Sequence, residues 1–334
     1  MKKTLIALAA VAAASASFAQ STVTLSGTID AGMEKRFSGD ATRVTPNRNG
    51  TSNWTLSGAE DLGGGLKAVF QISTSFNSDL GTVSSVDGLG NNGMFVGLTG
   101  GFGTLRAGRP VNTLYGNAML ANGTKGVSLH DSNSVLSGNA TATAKTSGAL
   151  SSVYVANAVQ YHSPRFGGVQ VQVEFAPSES TAVGNKAGTG LAVRYDGGPL
   201  SVSFTNYTGA KAATSTLKAV NQIAAAYDFG VAKVFFTHRD QNGLASAEDT
   251  SYALGVTAPV GPGALYAAYN VNEQVGSDGK TMIAGYKYNL SKRTQVYAQL
   301  ARRNAAWIGA AVTAGGGDGT KSSTGFGFGL QHNF

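Results

Sequence analysis

The chain contains no cysteine. Disulfides and thiolate chemistry are therefore excluded, and a small secreted scaffold held together by disulfides is disfavoured. Histidine occurs only at positions 130, 162, 238 and 332, scattered and without a nucleophile motif nearby. The parts of a hydrolytic triad or a histidine metal site are missing. Neither a GxxxxGK[ST] phosphate loop nor an Asp-rich calcium loop is present, and without them nucleotide and calcium chemistry lose their usual signatures. No cofactor and no metal is expected. Charge is sparse, at 13% of residues, and the Lys and Arg side chains are dispersed. Nucleic-acid binding wants them clustered. After the first twenty residues no run of 18 apolar residues occurs, so no transmembrane helix is expected. Glycine is abundant at 46 residues but follows no G-X-Y period, which excludes collagen.

What the sequence does have is alternation. In "GVQVQVEF", Val169, Val171, Val173 and Phe175 share one parity, and Gln170, Gln172 and Glu174 share the other. "GGPLSVSFTNY" and "TQVYAQLAR" repeat the pattern. So does the closing "GFGFGLQHNF", where Phe326, Phe328, Leu330 and Phe334 oppose glycines, Gln331 and Asn333. A period of two is the mark of strands with one apolar face. Only a short helix near Asn112–Leu120 is expected. Short turns rich in Gly, Pro, Asn and Asp fall at 61–65, 100–103, 163–168, 196–199, 228–230, 259–263 and 289–292. Longer polar connections fall near 37–51, 78–90, 110–152, 178–187, 210–217, 241–248, 274–279 and 305–320. Seven short and eight long connections join sixteen strands, with both ends of the set on the short-turn side. The seven prolines all lie in turns, loops or strand ends, where no ladder hydrogen bond is lost.

Residues 1–19 read as a secretory leader to be cleaved. Lys2 and Lys3 precede an apolar stretch, and Ser17-Phe18-Ala19 ends it as a small-x-small site. Residues 20–334 then read as one all-β unit: a 16-stranded antiparallel transmembrane β-barrel with alternating short turns and longer loops. Closure is required, because an open strand edge in hydrocarbon leaves backbone groups unpaired. Tyr161, Phe166, Tyr195, Tyr227, Phe229, Tyr286, Tyr288 and Phe334 gather beside the short turns, as an interfacial girdle would.

The stretches "VTLSGTID", "LSGAEDLGGGLKAVF", "GTLRAGR", "QYHSPRFGG", "YDFGVAK", "YNLSKRTQVYAQ" and "GLQHNF" run in order along the chain. Together they resemble the general porins of Gram-negative outer membranes, most of all the β-proteobacterial branch. The resemblance implies an outer-membrane homotrimer that passes ions and small hydrophilic solutes by passive diffusion. It implies outer-membrane lipid, lipopolysaccharide and the barrel-assembly machinery as partners, and no nucleic acid. It assigns Phe334 to the assembly signal, with the last strand pairing to residues near 22–34. It also makes 110–152 the third loop, folded inward to narrow the pore.

A pore's site is its constriction and the charges around it. Arg106 and Arg109 match the family's R-x-G-R stretch. Lys67, Glu174, Arg194, Lys233, Arg239 and Lys287 fall on expected inward positions, and Asp131 is the acid of the long loop. The sequence also departs from strongly anion-selective relatives. Where these carry arginines, this chain has Asn53, Asn92 with Gly93, and Tyr154. Weak selectivity leaning to anions is the expectation. A substrate-specific outer-membrane channel is the alternative. An enzymatic barrel lacks its motifs, a filled structural barrel would have fewer strands, and a solenoid would need a fixed repeat.

Overall fold

The computed structural model describes residues 22–35, 41–46, 49–83, 88–118, 120, 153–178, 186–209, 219–244, 247–273, 278–304 and 322–334. The first strands are β1 Thr22–Lys35, β2 Arg43–Pro46, β3 Asn53–Gly63, β4 Leu66–Asn77, β5 Thr82–Val83 and β6 Met94–Gly100. Next come β7 Gly103–Arg109, the helix α1 Thr113–Ala118, β8 Ala158–His162, β9 Val169–Ala176, β10 Gly188–Gly197 and β11 Leu200–Thr208. The chain continues through β12 Val220–Asp228, β13 Lys233–Leu244, β14 Ala247–Val260, β15 Gly263–Glu273, β16 Gly279–Asn289, β17 Thr294–Arg303 and β18 Ser323–Asn333. Among the described residues no helix is long and apolar enough to cross a membrane.

Sixteen of these strands form one closed antiparallel wall. Each pairs with its neighbours in sequence, with β2 and β5 as short additions. The seam joins the two ends, as expected from the closing strand. Thr28 to Lys35 of β1 pair with Asn333 to Phe326 of β18. One step further, Gly27 and Phe334 exchange two backbone bonds of 3.1 and 3.0 Å. The earlier half of β1, Thr22–Thr28, pairs instead with β3, and its later half also carries β2. β1 is thus the one strand that closes the wall and anchors the first loop.

The distribution of side chains is inverted relative to a soluble protein. Phe175 is 49% exposed while Glu174 beside it is 2% exposed. The same alternation runs along β9 to β12, β16, β17 and β18. Valine, leucine and phenylalanine point outward; glutamine, serine and threonine point inward. The barrel therefore has no single apolar core. Its buried apolar residues form small patches on the inner wall, such as Leu114, Tyr207 and Val220, or Tyr266, Ile283 and Ala301.

All seven short turns lie where the sequence placed them. The aromatics beside them behave as a girdle with polar tips. Tyr161 donates to the Phe102 carbonyl at 2.7 Å, and Tyr286 to the Val260 carbonyl at 2.9 Å, both in neighbouring turns. Such rings present an apolar body to lipid and a hydroxyl to the interface. Three longer connections differ from expectation, since β2 falls within 37–51 and β5 within 78–90 as well. Residues expected to form a loop at 241–248 instead extend the hairpin, with β13 running to Leu244 and β14 starting at Ala247. Polar composition does not exclude strand pairing where water, not lipid, surrounds the ladder.

At the seam the inner wall is locked by one side chain. Tyr297 of β17 lies across Gly329 of β18 and Gly32 of β1, and its hydroxyl donates to Asp30 Oδ1 at 2.8 Å. The other oxygen of Asp30 accepts the Asn49 amide N–H at 2.8 Å. A Cβ on either glycine would meet the Tyr297 hydroxyl. The two glycines are the path that the ring needs.

Candidate pore-lining site

The helix α1 begins the longest connection, and its contacts fall on the polar inner face. Asn112 caps it, with Oδ1 accepting the Tyr115 N–H at 2.6 Å. Asparagine is among the residues that favour this position. The Glu174 carboxylate then receives the Thr113 N–H at 2.8 Å, the Thr113 hydroxyl at 2.9 Å and Gln160 Nε2 at 2.6 Å. Tyr207 hydrogen-bonds the same carboxylate. Further along, Asn117 Nδ2 donates to Gln172 Oε1 at 2.8 Å, and Gln222 Nε2 to the Leu114 carbonyl at 3.1 Å. Gly190 makes the approach possible, because a Cβ there would sit 3.2 Å from Thr113 Cβ and 3.1 Å from the Tyr207 ring.

The expected inward charges fall into separate groups. Arg106 projects inward over the Phe95 ring, with 5.0 Å from Cζ to the centroid. Its Nε donates to Gln160 Oε1 at 2.8 Å, so one amide links it to Glu174. Arg239 is buried and donates twice to Gln222 Oε1, at 3.1 and 2.7 Å. These residues surround α1. Glu174 is inward, as its parity required, but it is covered by the helix it holds.

Arg109 belongs to a second group. Its Nη1 donates to the Asn91 carbonyl at 2.7 Å, and its guanidinium lies 5.5 Å from the Tyr154 ring centroid. Tyr154 donates to Asn92 Oδ1 at 2.5 Å. Burial pushes the Tyr154 phenol up to about 12, against the opposing pull of Arg109. It therefore stays a donor. Asn92 Nδ2 donates to Ser73 Oγ at 2.9 Å, Ser73 meets Thr55 Oγ1 at 2.7 Å, and Thr55 donates to Asn53 Oδ1 at 3.3 Å. Asn53, Asn92 and Tyr154, distant in sequence, thus form one continuous neutral chain.

Lys67 and Arg194 lie apart from both groups, toward the short turns. Lys67 is exposed and sits opposite Asp61 and Thr99. Arg194 grips Asp196 with bonds of 2.6 and 3.0 Å, and Arg165 reaches the same carboxylate at 2.5 Å. Asp131 lies outside the described residues. Sequence reasoning missed Gln160, Tyr207 and Gln222, which tie the charges to α1. Their inward parity was readable, but a neutral side chain gave no reason to select them.

A closed antiparallel wall with an apolar outside, an aromatic rim and a polar inside is a barrel that spans a membrane around an aqueous lumen. The comparisons give the family. The Gram-negative porin family model matches residues 4–306, and the chain belongs to that family. Outer membrane porin protein 32 of Delftia acidovorans is 34% identical over the whole of both chains. Major outer membrane protein P.IB of Neisseria meningitidis is 29% identical over the whole of both. Among solved structures, an anion-selective porin from Comamonas acidovorans superposes with a TM-score of 0.77 at 26% identity, covering 94% of this chain and all of that one. The trimer form of OmpT from Vibrio cholerae shares the fold, with a TM-score of 0.65 at 14% identity, over 94% of this chain and 99% of that one. The protein is an integral outer-membrane barrel that acts as a passive pore.

Proposed function

We propose that ions and small hydrophilic solutes diffuse through a lumen narrowed by residues 110–152, with weak selectivity that leans to anions. The docking of α1 carries this reading. Its backbone and side chains bond to Gln172, Glu174 and Gln222, all on the inner wall. A loop that starts this way is directed into the lumen, where 121–152, with Asp131, would complete the narrowing.

Weak selectivity follows from how the cations are used. Arg106 lies in the field of Glu174, and Arg109 donates to the backbone carbonyls of Gly90 and Asn91. The chain from Asn53 to Tyr154 offers no charge where strongly anion-selective relatives carry arginine. The relative from Comamonas acidovorans is described as anion-selective, and the present chain leans the same way through its net charge, +7 for the full chain and +5 once Lys2 and Lys3 leave with the leader. Exposed wall charges such as Lys67 are screened over about 10 Å at 0.1 M salt.

The remaining assignments complete the picture. Residues 1–19 serve as a cleaved leader. The barrel assembles as a homotrimer, as the trimeric solved relative does, surrounded by outer-membrane lipid and lipopolysaccharide. Phe334, whose ring covers Gly27 on the outer face, is the residue that the barrel-assembly machinery reads. Residues 20–334 in a planar bilayer under a tenfold KCl gradient test the pore. Stepwise conductance with a reversal potential near zero, displaced slightly toward chloride, is expected. A potential at the chloride limit would refute weak selectivity, and folded protein without conductance would refute the open lumen.

A further inference from the structure

The outer face of the wall is not smooth. Between β13 and β18 it holds two adjoining hollows of about 700 and 640 Å³. Ala267 of β15 and Ala284 of β16 stand opposite each other and line both. Ala298 of β17, opposite Tyr286, extends the floor of the larger one. Tyr269, Met282, Leu300 and Phe328 rise around them. Small side chains among such large ones leave a groove that lipid has to fill, because an empty groove forfeits the contacts of its lining. Arg302, near the loop-side end of β17, borders the smaller hollow. From Arg302 to Ala298 the strand rises about 13 Å, less than half of a hydrocarbon core of about 30 Å. The groove therefore sits in the loop-side leaflet.

The rim above the groove is basic. Arg302 of β17, Lys280 of β16 and Lys35 of β1 share the parity of Leu300, Met282 and Met33, which are exposed on the outer face. Lys35 faces Phe326, and Arg302 faces Thr324, two residues nearer the loops on β18. Arg302 also faces Met282, and Lys280 lies two residues nearer the loops again. From β1 to β16 the set thus climbs about 14 Å along the strands while crossing about 14 Å of wall. That incline of roughly 45° is the strand tilt of membrane barrels. The short-turn ends climb in the same sense, since Asn289 at the end of β16 shares a row with Gln331, two residues above Asn333 at the end of β18. The three cations therefore lie at one depth. Neither Arg302 nor Lys35 has an ion pair among the described residues. Lys280 meets Asp278 at 3.4 Å, with both side chains nearly half exposed, and such surface pairs hold weakly.

We infer that this groove is a fixed seat for one lipid A headgroup of lipopolysaccharide, with an acyl chain laid over the alanines and the phosphates on Arg302, Lys280 and Lys35. Apolar hollows alone would accept any acyl chain. The charge at their mouth selects the headgroup, as basic residues at headgroup depth attract anionic lipid. Arginine can grip a phosphate with two parallel bonds, and the lysines add point charges. The basic row runs about 20 Å across four strands when both the climb and the crossing are counted. A glycerophospholipid brings one phosphate and answers one cation. A disaccharide with a phosphate at each end answers a row. The inference rests on the lipopolysaccharide surroundings proposed above and not on the open lumen.

The test is native mass spectrometry of the folded barrel, residues 20–334, titrated with bis-phosphorylated lipid A and, as the one-phosphate control, phosphatidylglycerol. The wild-type protein should keep lipid A at concentrations where phosphatidylglycerol is lost. In A284W, which fills the groove, and in K35Q/K280Q/R302Q, which strips the rim of charge, the dissociation constant for lipid A should rise at least tenfold. A225W puts the same bulk on the outward face of β12 and should bind as the wild type does, which separates the groove from misfolding. Equal binding of lipid A by the wild-type protein, A284W and the triple variant would overturn the seat, as would equal retention of the two lipids. An A284W barrel that keeps lipid A but loses its oligomer would assign the groove to a second copy of the chain and overturn the seat as well. Insertion of the wild-type protein into bilayers with and without lipid A, combined with binding no tighter than that of A284W, would remove the seat and leave the surroundings standing. Failure to enter lipid A bilayers at all would refute the surroundings, and the seat with them.

Discussion

Replacing Glu174 with alanine should free α1 from the wall. Thr113 gives this carboxylate two bonds, one from the first amide of the helix and one from its hydroxyl. Hydrogen bonds to a charged group contribute about 1.5–3 kcal/mol each, so losing both weakens docking by about 3 kcal/mol at least. What remains is two neutral bonds, Asn117 to Gln172 and Gln222 to the Leu114 carbonyl, at about 1 kcal/mol each. Burial of Leu114 adds about 1.5–3 kcal/mol. The substitution thus removes close to half of the anchoring, and about 3 kcal/mol multiplies the undocked population by roughly two orders of magnitude. Single-channel records should show larger mean conductance with frequent steps between levels. The reversal potential should also move toward chloride, since Arg106 loses the nearby negative charge. Glu174→Gln separates the two effects. It removes the charge but keeps an acceptor oxygen for Thr113, so selectivity should shift as in the alanine variant with far fewer steps. An E174A channel with wild-type conductance, noise and potential would refute the docking of α1 as the cause of the narrowing.

Tyr154→Arg should move the reversal potential toward the chloride limit, because it puts a cation beside Arg109 in the neutral chain; an unchanged potential would show that the chain does not face the ion path. Because the Tyr154 phenol is raised from 10.0 to about 12, its protonated form is favoured by folding. That stabilisation is complete below pH 10 and lost as pH climbs toward 12, so conductance should show no step between pH 7 and 10 that Tyr154→Phe abolishes. At the seam, Gly329→Ala would force the Tyr297 hydroxyl off Asp30, at about 1–3 kcal/mol for overpacking plus about 1.5–3 kcal/mol for the bond to the carboxylate. Urea unfolding of the reconstituted barrel should detect it. The penalty should shrink in a Tyr297→Ala background, and equal penalties in both would contradict the bridge.

Period-two alternation made the faces of this barrel readable, since the parity of a residue in a strand decides lipid or lumen wherever the strand is regular. Glu174, Arg194 and Arg239 could be placed inward on that rule alone. It gave less at Arg109. Arg106 and Arg109 differ by three positions and would take opposite faces of an ideal strand. Gly108 between them takes φ 137° while the ladder runs on through it to Arg109, and Arg109 reaches Asn91 and Tyr154. A glycine in sequence does not announce its dihedral.

Partnership across the lumen is a different kind of information. Thr113 and Glu174 are 61 residues apart, and Asp30 and Tyr297 are 267 apart. No local pattern connects either pair. Their meeting depends on strand order, register and the absence of a Cβ at Gly190, Gly329 and Gly32. This is why the charges were legible as a set and not as a mechanism. Counted by sign, Glu174 is one acid on a mildly basic wall. Placed by register, it is the receptor for the first turn of α1, and its charge is met by donors from α1, β8 and β11 before any permeant ion reaches it. Selectivity in such a pore follows less from how many charges point inward than from which of them the fold has already paired.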